Sequence, residues 1–459
     1  MWRAISVLLI GSIPALAGLK HLTLNQALQI LDKKNMEIKV SKFEETMKKY
    51  DELVVEGKNW GSLTVSLQAL RSNDAGNVFG FKLQSREADF EDFGFSDFLA
   101  CMGANPPAYC QDVLHRQPED LNYPKARNHF LTKLTYQVPL YTGGKLTEYK
   151  KITEKMYQMS KLDTRKLRDE KIFQVKKAFY NITLVNRYIY NLNKIRHNME
   201  KLKRTIWEMK KEGYTKKTDV LEVEARLAKV DSMLNQARLN RSLALQFLSF
   251  LIDTDVDSIR QVNLSVHAPR VSKSDIERMS LDIQKAKMGL EVARHAIQTE
   301  KANFLPMVGA FGEYGSADDH LWNDFGKKDF YTVGMQVKMN LFNGGSDKAK
   351  LEKARVRHMK VATQVALAKK GIALQVKKLQ TSIRSLEYDL KSERKQLELA
   401  KQVYKTYETK YKEGLASITD VLIKQSIELQ VLLEYLQVAN KHSEKVFELE
   451  KILDWGGRS

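Results

Sequence analysis

Leu140-Tyr141-Thr142-Gly143-Gly144 returns 201 residues later as Leu341-Phe342-Asn343-Gly344-Gly345, and this duplicated stretch decides how the chain is read. The same shift carries Glu212-Gly213 onto Glu413-Gly414, Thr218-Asp219-Val220-Leu221 onto Thr419-Asp420-Val421-Leu422, and Ile252-Asp253 onto Leu453-Asp454. A period held from 140 to 253 without insertion marks two copies of one structural unit. Upstream the best shift becomes 245, which sets Asn35-Met36-Glu37-Ile38 on Ser280-Leu281-Asp282-Ile283 and a segment at Leu63 on one at Val308. The difference of 44 residues falls between the two strands of each half, so a first connecting loop, 71–128, is far longer than a second, 315–329.

Between the repeated turns the chain has helical character. Proline is absent from 140–268 and from 307–459, while four of the eight prolines (Pro106, Pro107, Pro118, Pro124) lie in the first loop. Lys145 to Glu212 also lacks glycine, and Leu192, Ile195, Met199, Leu202, Ile206 and Met209 recur at three and four. One helix over 145–212 would run about 100 Å at 1.5 Å per residue. Its counterpart over 346–413 shows Ile372, Val376, Leu379, Ile383, Leu386 and Leu390 at the same spacing. Return helices are expected over 218–253 and 419–454, and Thr23-x-x-Gln26 and Ser274-x-x-Glu277 read as capping-box starts of helices of about 30 residues. Two shorter helices end to end match one long one, the pattern of an antiparallel bundle of coiled-coil-like pairs.

At the junctions the period changes to two. Leu63, Val65, Leu67 and Ala69 alternate with Thr64, Ser66 and Gln68, and Leu134, Tyr136, Val138 and Leu140 alternate with Lys133, Thr135 and Gln137. Tyr331, Val333, Met335, Val337, Met339 and Leu341 alternate with polar residues and Gly334 over the length a membrane strand needs. Strands are thus expected at 60–70, 130–141, 305–314 and 330–342. Four strands cannot close a barrel, since a small closed one needs about eight, so several chains must contribute and a homo-oligomer follows.

The chain opens with Arg3, an apolar run from Ala4 to Ala17 and the small-x-small pattern Ala15-Leu16-Ala17, which reads as a signal peptide over 1–17. After it come a first repeat over 18–253, a linker over 254–273, a second repeat over 274–454 and a tail over 455–459. No later run is apolar for about 18 residues, so membrane insertion would rest on strands. The net charge of +19 would ordinarily raise nucleic acid as a partner. Both loops are acidic, however, with six Lys/Arg against nine Asp/Glu over 71–128, so the excess sits on the helices as a solvated face, and no nucleic-acid partner is expected for an exported chain. The nine His residues show no HExxH spacing, and there is no GxxxxGK[ST] or GxSxG motif; neither enzymatic activity nor a cofactor or metal is expected.

In these features the chain resembles the TolC-like outer-membrane efflux protein (OEP) family across the mature sequence. The resemblance rests on Leu22-Thr23-Leu24-Asn25-Gln26-Ala27-Leu28, on Pro139-Leu140-Tyr141-Thr142-Gly143-Gly144 and Leu341-Phe342-Asn343-Gly344-Gly345, and on two Gly-x4-Thr-Asp-Val-Leu turns, in that order. It implies a mainly α fold with membrane β structure: a homotrimer whose twelve strands form one barrel in the outer-membrane lipid, continued by an α-barrel tunnel in the periplasm. It further implies docking on a periplasmic adaptor (membrane fusion) protein linked to an inner-membrane RND or ABC pump, as the passive exit duct of a tripartite efflux or type I secretion system. The turns at Gly213 and Gly414, with Thr218 and Thr419, correspond to adaptor-facing tips; Asp219, Asp420 and Tyr411 correspond to the periplasmic constriction. The family's basic partner two residues after the second glycine is Ala416 here, and its second acidic position is Ile423, so the closing network does not carry over complete. Cys101 and Cys110, in the loop the resemblance places outside the cell, are expected to form a disulfide. The competing reading is an exported structural coiled-coil or adhesin-like protein, which has no use for four alternating strands repeated at helix junctions.

Overall fold

The computed structural model describes residues 18–106 and 108–455; the expected signal peptide at 1–17 lies outside the described residues. The chain divides into two compact units. One is formed by Met1–Met47, Tyr157–Leu290 and Lys360–Ser459, the other by Lys48–Met156 and Glu291–Met359.

The second unit is built on one four-stranded antiparallel sheet, β1 Ser62–Ser72, β2 Arg127–Tyr141, β3 Met307–Asp318 and β4 Asp329–Lys338, paired in sequence order. Its register aligns apolar rows on one face: Leu63 opposite Tyr136, Gly312 and Val333, and Val65 opposite Leu134, Tyr314 and Tyr331. The other face carries rows such as Thr64, Thr135, Glu313 and Thr332, and there Lys133 pairs with Glu313 at 3.0 Å. Period-two sequence becomes two-faced structure because successive Cβ atoms of a strand point to opposite sides. The apolar face is bare in the single chain: Val65 is 71% exposed, Tyr331 78% and Val333 75%. Between β1 and β2 the described residues of the long loop form three short α-helices, α3 Ala75–Gln84, α4 Phe95–Cys101 and α5 Glu119–Asn122, and Cys101 and Cys110 are joined by a disulfide with Cα atoms 5.3 Å apart.

The long helices are α6, Lys145–Lys211, and α10, Ser346–Lys412; the return helices are α7, Lys217–Ile252, and α11, Ile418–Ile452. Gly143, Gly144, Gly344 and Gly345 all take positive φ where strand sequence gives way to α6 and α10, which is why the duplicated Gly-Gly punctuates both halves. The remaining helices of the two repeats are shorter than expected. What reads as one helix from Thr23 is two, α1 Leu24–Lys34 and α2 Met36–Gly57, and its counterpart is α8 Lys273–Met279 followed by α9 Leu281–Lys301. The breaks fall at Asn35 and Ser280, which the shift of 245 superposes. At the first, Asn35 is buried, its Nδ2 donates to the Leu251 carbonyl at 2.8 Å and its Oδ1 accepts from Ile38 N, so the side chain replaces the helical bond and ties the kink to α7. Thr23 caps α1 with Gln26 as expected, whereas α8 is capped by Ser272 with Asp275, two residues ahead of the expected Ser274 and Glu277.

In the helical unit each repeat has an apolar core of its own. Val175, Ala178 and Ile182 of α6 pack with Leu248, Leu251 and Ile252 of α7, while Val376, Leu379 and Ile383 of α10 pack with Leu449, Ile452 and Leu453 at and beyond the end of α11. These positions coincide under the shift of 201, so the sequence repeat is a repeat of buried faces.

Candidate functional site

The turns joining α6 to α7 and α10 to α11 are the places where the repeated Gly-x4-Thr-Asp motif concentrates polar chemistry. Gly213 (φ +81) and Gly414 (φ +75) each follow a long helix in the left-handed region. Tyr214 N donates to the Met209 carbonyl at 2.8 Å and Gly213 N to that of Lys210 at 3.1 Å; Leu415 to Lys410 and Gly414 to Tyr411 repeat the pattern at 2.8 and 3.0 Å. This paired bonding satisfies the last helical carbonyls, and it needs a residue without a Cβ penalty at positive φ.

The capping residues of the next helices lie two residues before the threonines. α11 is capped by Ser417, whose Oγ accepts from Asp420 N at 3.1 Å while Asp420 Oδ2 accepts from Ser417 N at 3.1 Å. At α7 the capping residue is Lys216, whose side chain offers no acceptor, so only the return half forms: Asp219 Oδ2 accepts from Lys216 N at 3.1 Å. Both aspartates thus serve the backbone at the positive end of a helix. Thr218 and Thr419 are exposed and cap neither helix; Thr419 Oγ1 instead donates to Glu222 Oε2 at 3.2 Å, tying α11 to α7.

Beneath the turns one apolar cluster draws on all four helices, with Met199 and Ile206 of α6, Val220 and Val223 of α7, and Ile418, Val421 and Leu422 of α11 buried. Tyr404, Tyr407 and Tyr411 of α10 pack against it at spacings of three and four. The Tyr411 hydroxyl lies 3.7 Å from Met209 Sδ. Burial, and then the charge of Asp219, push the Tyr411 phenol above its ordinary range, and burial pushes Tyr404 up to about 12. Tyr411 is therefore near enough to Asp219 to feel its charge, while Asp420 is engaged with Ser417 at the start of α11.

The Ser417 hydroxyl and backbone, followed by the charge of Lys424, hold the Asp420 carboxyl below the usual range. Lys424, whose Nζ also lies 5.1 Å from the centre of the Tyr407 ring, supplies a cation near Asp420 that Ala416 does not. Sequence inspection of the turn alone missed it; the spacing of four between Asp420 and Lys424 on one helix was the available signal. Ser417 and Glu222 were missed for a related reason, since which hydroxyl caps a helix depends on where the backbone turns.

Residues 274–454 match the family described as outer membrane efflux protein. Comparison with curated protein sequences gives no match. Among solved structures the chain is similar to CusC, described for conformational changes accompanying folding and transmembrane channel formation, with a TM-score of 0.75 and 13% identity over 94% of this chain and 91% of that one. It is similar to the Campylobacter jejuni CmeC outer membrane channel, with a TM-score of 0.75 and 14% identity over 94% and 86% of the two chains. It is similar as well to the open state of the Neisseria gonorrhoeae MtrE outer membrane channel, with a TM-score of 0.74 and 14% identity over 94% and 88%. By sequence residues 274–454, most of the second repeat, match the outer membrane efflux protein family, and the chain as a whole has the fold of the outer-membrane channels it is similar to.

Proposed function

We propose that this chain is one protomer of a homotrimeric channel of the outer membrane, the passive exit duct of a tripartite efflux or type I secretion system. The carrying observation is the sheet: four paired strands with one bare apolar face and two outer strands, β1 and β4, each paired on one side only. An open apolar edge strand invites pairing with another chain, and lipid is the solvent in which a bare apolar face is stable. Three copies supply twelve strands, enough to close a barrel with its polar rows, including Lys133 and Glu313, turned to a water-filled lumen. An exported coiled-coil scaffold would leave both the face and the edges unexplained.

In this reading the turns at Gly213 and Gly414 face a periplasmic adaptor, which joins the duct to an inner-membrane RND or ABC pump. Asp219, Asp420 and Tyr411 narrow the periplasmic end: each recurs three times around the axis, and rings of carboxylates there favour cations at the entrance. The test is fractionation of membranes from cells making the full chain, followed by mass measurement in detergent. A trimer in the outer-membrane fraction is expected; a monomer released with soluble periplasmic proteins would sink the reading.

A further inference from the structure

The third strand ends in consecutive residues that can each offer a metal ligand. Asp318 closes β3, Asp319 and His320 follow it, and one ligand atom from each lies within 4.8 Å of the others. Among the described residues no other group of three His, Cys, Asp or Glu side chains converges in this way. Asp318 is buried; its Oδ1 accepts from Lys328 Nζ at 2.8 Å and from Asp319 N at 2.7 Å, while its Oδ2, equally shielded from solvent, has no hydrogen-bond partner. Asp319 Oδ1 lies 2.7 Å from His320 Nδ1, and the His320 side chain is 76% exposed, so the group opens to solvent on that side.

The surrounding charges leave one negative charge over. Lys328 reaches both Asp318 and Glu87, and Arg127 reaches Glu87 and, at 3.9 Å, Asp319. Three carboxylates thus share two cations, and the oxygen without a donor belongs to the most deeply buried of the three. An ionised oxygen cut off from water and left without a donor costs free energy until something positive takes that position. Arg127 Nε is also buried without a partner, and it serves the Asp318 oxygen only if the guanidinium turns.

We infer that Asp318, Asp319 and His320 bind one divalent transition-metal ion of the Zn²⁺ class. Two carboxylates and an imidazole suit Zn²⁺ in a site that keeps a position for water, whereas Ca²⁺ and Mg²⁺ ask for about six oxygens. The exposed His320 ring gives the ion its way in, and the orphaned Asp318 oxygen gives it the charge it neutralises. Lys328 on the other oxygen of Asp318 and Arg127 beside Asp319 repel the ion, so they set a ceiling on its affinity. The spacing of histidines in the sequence did not announce this site, because its ligands are immediate neighbours that only the end of β3 turns toward one another. Binding does not depend on the channel reading, since all three ligands come from one chain.

The test uses the full chain in detergent, free of any affinity tag and stripped of metal with a chelator, titrated with Zn²⁺ in a calorimeter. One ion per chain is expected, and affinity should fall at least about tenfold in H320A and in D319N. Because the His320 ring is exposed, metal-free H320A should melt where the metal-free parent does, which separates a lost ligand from a lost fold. Zn²⁺ should raise the melting temperature of the parent as its concentration increases and leave that of H320A unmoved. K328M removes the cation that competes for Asp318 and is expected to tighten binding several-fold, which damage to the fold would not do. H115A, which alters an exposed histidine beside Asp112, should bind as the parent does. No binding in the parent, equal affinity in parent and H320A, a loss in H115A instead, or a K328M chain that binds no more tightly than the parent overturns the site.

Discussion

Asp169 on α6 and Asp454 beyond the end of α11 face one another as a carboxyl pair almost wholly excluded from solvent, with Arg165 on the Asp454 side. Burial first, then the hydrogen bond and charge of Asp454, push the Asp169 carboxyl up to about 8. An unfolded aspartate titrates near 3.9, so between roughly pH 4 and pH 8 the folded chain holds a proton that the unfolded chain has released. The stabilisation is full below the unfolded value and is lost as pH rises through the folded one. Asp169→Asn, which carries its donor at every pH, is expected to flatten the fall of Tm between about pH 5 and pH 8. Thermal unfolding of parent and variant across that range checks this, and parallel curves would count against the shared proton.

At the tips, Asp420 closes the capping box with Ser417, and this contribution is present above the ordinary aspartate range and lost in acid as pH falls through the depressed folded value. Asp420→Ala is expected to lower the unfolding temperature, raise single-channel conductance in planar bilayers and weaken block by multivalent cations added on the tip side. Lower stability with conductance and block unchanged would leave Asp420 as a cap alone.

The left-handed turn at Gly414 makes a graded prediction. Gly414→Val places a β-branched residue at φ +75 and is expected to cost about 1–2 kcal/mol, while Gly414→Asn costs less because asparagine tolerates that region. Thermal or denaturant unfolding of the two variants should rank them in that order; equal losses would argue that the turn relaxes.

In the sheet, Val333 belongs to the apolar rows and its neighbour Thr332 to the polar ones. Val333→Lys puts a charge on the lipid face at about 2–4 kcal/mol near the bilayer centre and is expected to reduce assembled channel in the outer membrane. Thr332→Lys, one residue away, should assemble normally and alter conductance. Quantifying membrane-inserted trimer for both separates the two faces, and equal effects would contradict the assigned orientation.

Much of the fold is legible in the residues because its determinants are local. Alternation at Leu63–Ala69 and Tyr331–Val337 makes strands, glycine pairs at 143–144 and 344–345 turn them into helices, and long proline-free stretches permit α6 and α10. The breaks at Asn35 and Ser280 were not legible, because the Asn35 side chain takes its partner at Leu251, far along the chain. The cap of α8 slipped by two residues for a similar reason: the hydroxyl at Ser274 carries the same local preference as that at Ser272, and only the path of the backbone selects one.

By itself, then, the sequence determined the elements, the repeat and the duplicated buried faces, since periodicity and turn chemistry act over a few residues and are written in order. Tertiary structure alone decided which distant groups meet: Tyr411 with Met209, Thr419 with Glu222, and the buried pair Asp169 and Asp454. Those encounters depend on how helices separated by scores of residues are rotated about their own axes when their apolar faces pack, and packing of whole faces, not any local preference, sets that rotation.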